Sequence, residues 1–252
     1  MKKVTYCLIA LFITLLVSVA TLEAATEITS LPRTITAQGS YIINKNLTST
    51  SNGIMVNANN VTIDLNGYNI AGNNIGTYYG VYMNGRHNVE IRNGTIRNFG
   101  SDGVFEEGVS GNSHRVINVR VMNNKGIGIH LLGSNHMVKD CTTSNNGDYG
   151  IVAASGSTVS GNTANGNGGR GILAGTGSTI IGNTTYDNGV TGIIAGSGST
   201  VKNNTAFSNQ QYGIFLYGNN LVDGNTASQN NQAGGYANMN TCATCVFGDN
   251  VQ

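Results

Sequence analysis

Residues 171–189 read GILAGTGSTIIGNTTYDNG, and the stretches on either side say nearly the same thing: GIVAASGSTVSGNTANGNG from Gly150 and GIIAGSGSTVKNNTAFSNQ from Gly192. Gly-Ile pairs begin at Gly128, Gly150, Gly171, Gly192 and Gly213, the last four at one constant spacing. Other columns keep the same step: Asn162, Asn183, Asn204 and Asn225; Asn146, Asn167, Asn188, Asn209 and Asn230; Thr142, Thr163, Thr184, Thr205 and Thr226. A looser form reaches back through Gly103-Val104, Gly80-Val81 and Gly53-Ile54.

One period leaves no room for a helix. Apolar residues alternate over three or four positions, and Gly, Asn or Ser then interrupts, which is the pattern of short strands and turns. A repeat of this length holding two or three such strands is one coil of a parallel β-solenoid. Each coil stacks on the last at roughly 4.8 Å. The reading is therefore all-β: a parallel β-solenoid of about 21–25 residues per coil and about eight or nine coils. Ile151, Ile172, Ile193 and Ile214 should stack into an apolar core. The Asn columns should form hydrogen-bonded ladders along the axis, because an amide carries both donor and acceptor. Cys141 stands in the Asn162 column and reads as a buried, inert thiol.

Net charge is +1 over 252 residues and only 10% are charged, which offers no electrostatic reason to expect nucleic acid or an anionic membrane as partner. Lys2 and Lys3 precede an apolar run from Leu8 to Val19, with small residues for cleavage after Ala20 or Ala24. That is a secretory signal peptide, residues 1–24, and the apolar run is too short to span a bilayer. The mature chain, 25–252, divides into an N-terminal cap (25–52), coils (53–233) and a C-terminal cap (234–252). It is expected to be secreted, periplasmic or on the cell surface, without a membrane span. Cys242-Ala-Thr-Cys245 could be a local disulfide, half a metal site or a redox pair. No βαβ context supports the redox reading and no further ligands stand close in sequence, so a disulfide between Cys242 and Cys245 in the C-terminal cap is preferred.

The stretch NNVTIDLNGYNIAG (Asn59 to Gly72), then NVEIRNGTIRNFG (Asn88 to Gly100), then the serial GI…GNT…N coils resemble the right-handed parallel β-helix repeat proteins of the pectin-lyase-like group, including NosD-like and carbohydrate-binding members. That resemblance implies a single-stranded right-handed parallel β-helix, a solenoid that hosts pectate lyases, polygalacturonases, uronan epimerases and proteins without catalysis, so the fold does not decide the activity. The Asp-Asp and Gly-His-Gly signatures of polygalacturonases are absent, and the Asp-Pro-His of uronan epimerases is impossible because the only proline is Pro32.

Chemistry concentrates between Arg86 and Asp148, which hold most of the charged residues and all four His: His87, His114, His130 and His136. Asp102, Lys125, His130, Asp148 and Arg170 lie at or beside the start of the Gly-Ile strand on successive coils and are the candidate catalytic residues. Tyr82, Phe105, Glu106 and Tyr149 are the candidate substrate contacts. An aromatic platform beside alternating charges suits a sugar polymer. Asp102 and Asp148 would serve a hydrolase as paired carboxyls, and Lys125, His130 or Arg170 would serve a lyase as the base. Asn93, Asn118 and Asp140 share a column on another face, where calcium is the one cofactor considered. His130, His136 and Met137 with His114 offer donors suited to copper, but the four His read first as independent surface residues. Three functions follow: binding or modifying polysaccharide along this row, non-catalytic contact with a protein partner, or a periplasmic copper-accessory role.

Overall fold

The computed structural model describes residues 24–252 apart from Ala233 and Thr241. Residues 1–23 of the expected signal peptide lie outside the described residues. Every strand pairing among the named strands is parallel, and no described residue is helical. One sheet has nine strands, one per coil, running from Arg33–Ile35 through Ile54–Val56, Val81–Met83, Val104–Glu106 and Ile129–Ser134 to Ile214–Leu216. This Gly-Ile sheet faces a second surface built from two strand rows, as in the coil holding Ile151–Ser155, Thr158–Ser160 and Thr163–Asn165. With partial coils at each end the rod has about ten turns, slightly more than the sequence suggested. The extra turn comes from the expected N-terminal cap, where Arg33–Ile35 already pairs with Ile54–Val56 as a first coil.

The columns behave as stacking requires. Ile151, Ile172, Ile193 and Ile214 are fully buried and in register. Two amide ladders flank them. Asn167 Nδ2 donates to Asn188 Oδ1 at 3.0 Å and Asn188 Nδ2 to Asn209 Oδ1 at 2.9 Å. The second ladder runs from Asn162 to Asn183, Asn204 and Asn225, each amide bonded to the next at 2.9 Å. Cys141 takes the first rung with its backbone N–H donating to Asn162 Oδ1 at 2.9 Å, and burial pushes its thiol up to about 12.

The sharp corner between the second and third rows explains the other polar column. Asn118, Asp140 and Asn203 have φ of 54°, 53° and 55°, and Gly161 and Gly182 have 66° at equivalent places. Only Gly, Asn and Asp adopt this left-handed conformation readily. At the far end, Val246–Phe247 pairs with the last full coil at Leu221 and Val222. A disulfide joins Cys242 to Cys245 in the loop that leads there.

Candidate functional site

Alternation along each strand of the Gly-Ile sheet points every second side chain outward. Tyr82, Phe105 and His130 occupy the same outward position on three successive coils. The Phe105 ring stacks on the His130 ring at 4.9 Å between centroids, and Tyr79 lies 5.3 Å from Tyr82 and 5.0 Å from Phe105. Tyr82 donates its hydroxyl proton to Glu107, and this bond pushes the phenol above its ordinary value. Four rings therefore make one partly exposed platform. Tyr79 and Glu107 escaped the sequence reading, though Tyr79 immediately precedes Gly80 as Asp102 precedes Gly103.

Asp102 stands behind this platform and is buried. Its Oδ1 accepts the Ile127 backbone N–H at 2.8 Å, and its Oδ2 meets His130 Nδ1 at 3.0 Å. A carboxylate can only accept, so it fixes the imidazole with hydrogen on Nδ1. Nε2 has no protein partner among the described residues and is left as the acceptor or base. This is an oriented Asp–His pair beside aromatic rings, with Nε2 placed to accept a proton.

The remaining candidates are not all in this row. Backbone bonds from Gly80 to Asp102, Gly103 to Ile127, Gly128 to Tyr149 and Gly150 to Arg170 place Tyr79, Asp102, Ile127, Tyr149 and Arg170 in one column. Asp148 and Lys125 fall one and two positions before that column, and both are exposed. Asp102 lies one residue before Gly103, whereas Asp148 lies two before Gly150 and Lys125 three before Gly128, and these glycines are themselves in register. Asp102 and Asp148 therefore do not form a matched pair of carboxyls, since Asp102 is already committed to Ile127 and His130. Two coils beyond His130, Arg170 donates to the Tyr149 hydroxyl and sets its guanidinium 5.0 Å from that ring's centroid, a cation–π contact.

Glu106 is corrected outright as a substrate contact. Phe105 faces outward, so Glu106 faces the core, and it is 0% exposed. Its Oε1 accepts the N–H of Gly85 and of Gly108, each at 2.6 Å, and its Oε2 accepts that of Arg86 at 3.2 Å and His114 Nε2–H at 3.0 Å. Burial alone would raise the carboxyl, but the His114 bond and the three backbone donors outweigh it and hold Glu106 below its ordinary range.

His114 and His136 are likewise not surface residues. Both are buried and their rings stack in parallel at 5.1 Å. Nδ1 of His114 accepts the Val89 N–H at 3.2 Å, and Nδ1 of His136 accepts the His114 N–H at 3.3 Å. The same rung is filled by Ser157, Ser178, Ser199 and Asn220 on later coils. All four ring nitrogens are hydrogen-bonded, His136 Nε2 to the Leu132 carbonyl at 2.8 Å. These two His cannot serve the copper reading. Among the described residues no three His, Cys, Asp or Glu side chains are grouped as a metal site. Asn118 donates to Asn93 at 3.1 Å, and Asp140 is exposed beside Lys139 at 3.7 Å.

This buried group predicts acid sensitivity. Burial drives His136 from 6.5 down to about 4. The unfolded chain takes up this proton first, so the contribution is complete above pH 6.5 and is lost as pH falls toward 4. Glu106, held below its ordinary 4.5, loses its contribution lower still, in the same direction. The melting temperature should drop clearly from pH 7 to pH 4. In His136→Ser, which installs the rung residue of later coils, the drop should shrink, and an unchanged pH dependence would remove His136 as its source.

The sequence matches the family described as "Right handed beta helix region" over residues 34–184 and again over 108–251. The chain belongs to that family. Among solved right-handed β-helices it is similar to the A-module of mannuronan C-5 epimerase AlgE4 from Azotobacter vinelandii, with 16% identity and a TM-score of 0.62 over 84% of this chain and 68% of that one. A mutant of the periplasmic alginate epimerase AlgG superposes with a TM-score of 0.59 at 11% identity, over 85% of this chain and 70% of that one. Pectate lyase Pel9A gives 0.52 at 14% identity, over 84% and 70%. At such identities the likeness is one of β-helix fold. No curated protein matches the sequence.

Proposed function

We propose that this β-helix protein is exported and binds polysaccharide along the outer face of its Gly-Ile sheet. The observation that carries the reading is the cluster of Tyr79, Tyr82, Phe105 and His130 over three successive coils, a stacked platform in which Tyr82, Phe105 and His130 follow the strand spacing. Sugar rings present apolar faces that such a platform covers, and Asn84 and Glu107 at its edge offer polar partners. The likeness in fold to proteins named for mannuronan, alginate and pectate supports this ligand class. The signal-like residues 1–24 support export, and no helix among the described residues is long and apolar enough to cross a membrane.

The Asp102–His130 pair favours a second reading on the same face. His130 Nε2 would remove the C5 proton beside a uronate carboxylate as the C4–O bond to the next sugar breaks, leaving a C4–C5 double bond while the departing oxygen takes a proton from solvent, and Arg170, roughly 9.6 Å further along the axis, would hold the carboxylate of a unit further along the chain. Hydrolysis is not proposed, because no second carboxyl is matched to Asp102.

A glycan array and an absorbance assay for unsaturated product on uronic-acid polymers test both readings. The wild-type protein should retain acidic polysaccharide, and Tyr82→Ala with Phe105→Ala should weaken retention by about tenfold or more. Retention unchanged in that double variant would sink the platform. If turnover is seen, His130→Ala should lower it by about a hundredfold or more; undiminished turnover would remove His130 as the base.

A further inference from the structure

The outward column does not end at His130. It continues through Val152, Leu173, Ile194 and Phe215, an apolar strip on the following coils. Two positions on, the outer edge reads Ala154, Gly175, Gly196 and Tyr217, placed by backbone bonds from Gly175 to Ala153, Gly196 to Ala174 and Tyr217 to Ala195. Side-chain size falls to nothing at the two glycines and returns as an aromatic wall. A Cβ at Gly175 would lie 2.6 Å from the Ser155 nitrogen, and one at Gly196 would lie 2.5 Å from the Gly175 backbone. Close stacking therefore demands glycine at both places. The missing side chains leave a groove of about 380 Å³ lined by Leu173, Ile194 and Tyr217, with the hydroxyls of Thr176 and Ser197.

A second cavity of about 140 Å³ shares Ile194 and Tyr217 with the first and adds Arg170, Tyr212 and Phe215. The Tyr212 and Phe215 rings meet edge-on at 5.1 Å, and Phe215 meets Tyr217 at 5.3 Å. The Nε of Arg170 is buried and has no hydrogen-bond partner among the described residues. Apolar floor, aromatic walls, a few hydroxyls and one cation are the composition of a saccharide pocket.

We infer that this double cavity is a second saccharide subsite for the same polymer, an inference that rests on the binding face proposed above. Leu173 and Ile194 lie three and four coils beyond Phe105, roughly 14 and 19 Å along the axis. A disaccharide reaches one subsite and a longer chain reaches both. The second engagement is then intramolecular, so affinity rises with chain length without any new kind of contact. The protein selects long acidic chains over their fragments.

Calorimetric titration with oligogalacturonides and oligomannuronates of roughly two to ten units reads this directly, with Kd expected to fall about tenfold or more once a chain spans both subsites. Tyr217→Ala should flatten that dependence. Tyr217 is more than half exposed, so its loss leaves the coil intact. Thr176→Ala with Ser197→Ala, two changes away from the core, should weaken long chains by about threefold and dimers less. Equal affinity for dimers and decamers overturns the second subsite. So does an unchanged long-chain Kd in Tyr217→Ala while Tyr82→Ala weakens it, and that result leaves the first platform standing. Failure of the wild-type protein to bind any length overturns both.

Discussion

Glu106→Ala should cost about 3–5 kcal/mol of stability, the largest loss expected of any single change here. The carboxylate lies in an inward column whose neighbours on adjacent coils are Met83 and Leu131. It persists there because four donors converge on it: the N–H groups of Gly85, Arg86 and Gly108 and the Nε2–H of His114. Truncation strands all four and opens a cavity beneath them. Water cannot replace the lost partner cheaply in a site that is 0% exposed. Glu106→Gln keeps one acceptor oxygen but turns an amide NH2 toward donors, so it should recover part of the loss. Urea unfolding of the three proteins at pH 7 checks the order wild type, Gln, Ala. A Glu106→Ala midpoint equal to wild type would mean the carboxylate does not organise this loop.

Asn188→Ala should cost about 2–4 kcal/mol. Asn188 Oδ1 accepts both the backbone N–H and the side-chain Nδ2 of Asn167, at 3.2 and 3.0 Å, while its own Nδ2 donates to the Ala164 carbonyl and to Asn209 Oδ1, each at 2.9 Å. One truncation therefore breaks the ladder in both directions within a fully buried column. Asn203→Gly is the matched control. Asn203 holds a left-handed corner at φ 55°, which Gly occupies in other coils, so the change should stay within about 0.5 kcal/mol. If both variants melt alike, the ladder adds nothing beyond the corner conformation.

Both predictions come from columns that a reader of the sequence can find. The constant step from Gly150 to Gly171, Gly192 and Gly213 made the coils, the isoleucine stack and the two amide ladders legible, because stacking coils of equal length must repeat like on like. Some of what was missed was also legible. Alternation that turns Phe105 outward turns Glu106 inward. His114, His136, Ser157, Ser178 and Ser199 follow one another at nearly the coil period, so the two His belong to a buried rung. Polarity argued for the surface in each case, and register argued more strongly for the core.

The chain's own pattern was enough to set the solenoid, its buried columns and the face on which Tyr82, Phe105 and His130 align. It does not put Asp148 and Lys125 in the Asp102 column, because they lie two and three residues before Gly150 and Gly128 while Asp102 lies one before Gly103. Nor could it join Asp102 to His130, separated by 28 residues, or Arg170 to Tyr149, one coil apart. Those contacts depend on where a side chain swings once neighbouring coils have closed on it. A period along the chain specifies which residues stack, whereas rotamers, corner geometry and the space left by Gly175 and Gly196 exist only after the coils are in place.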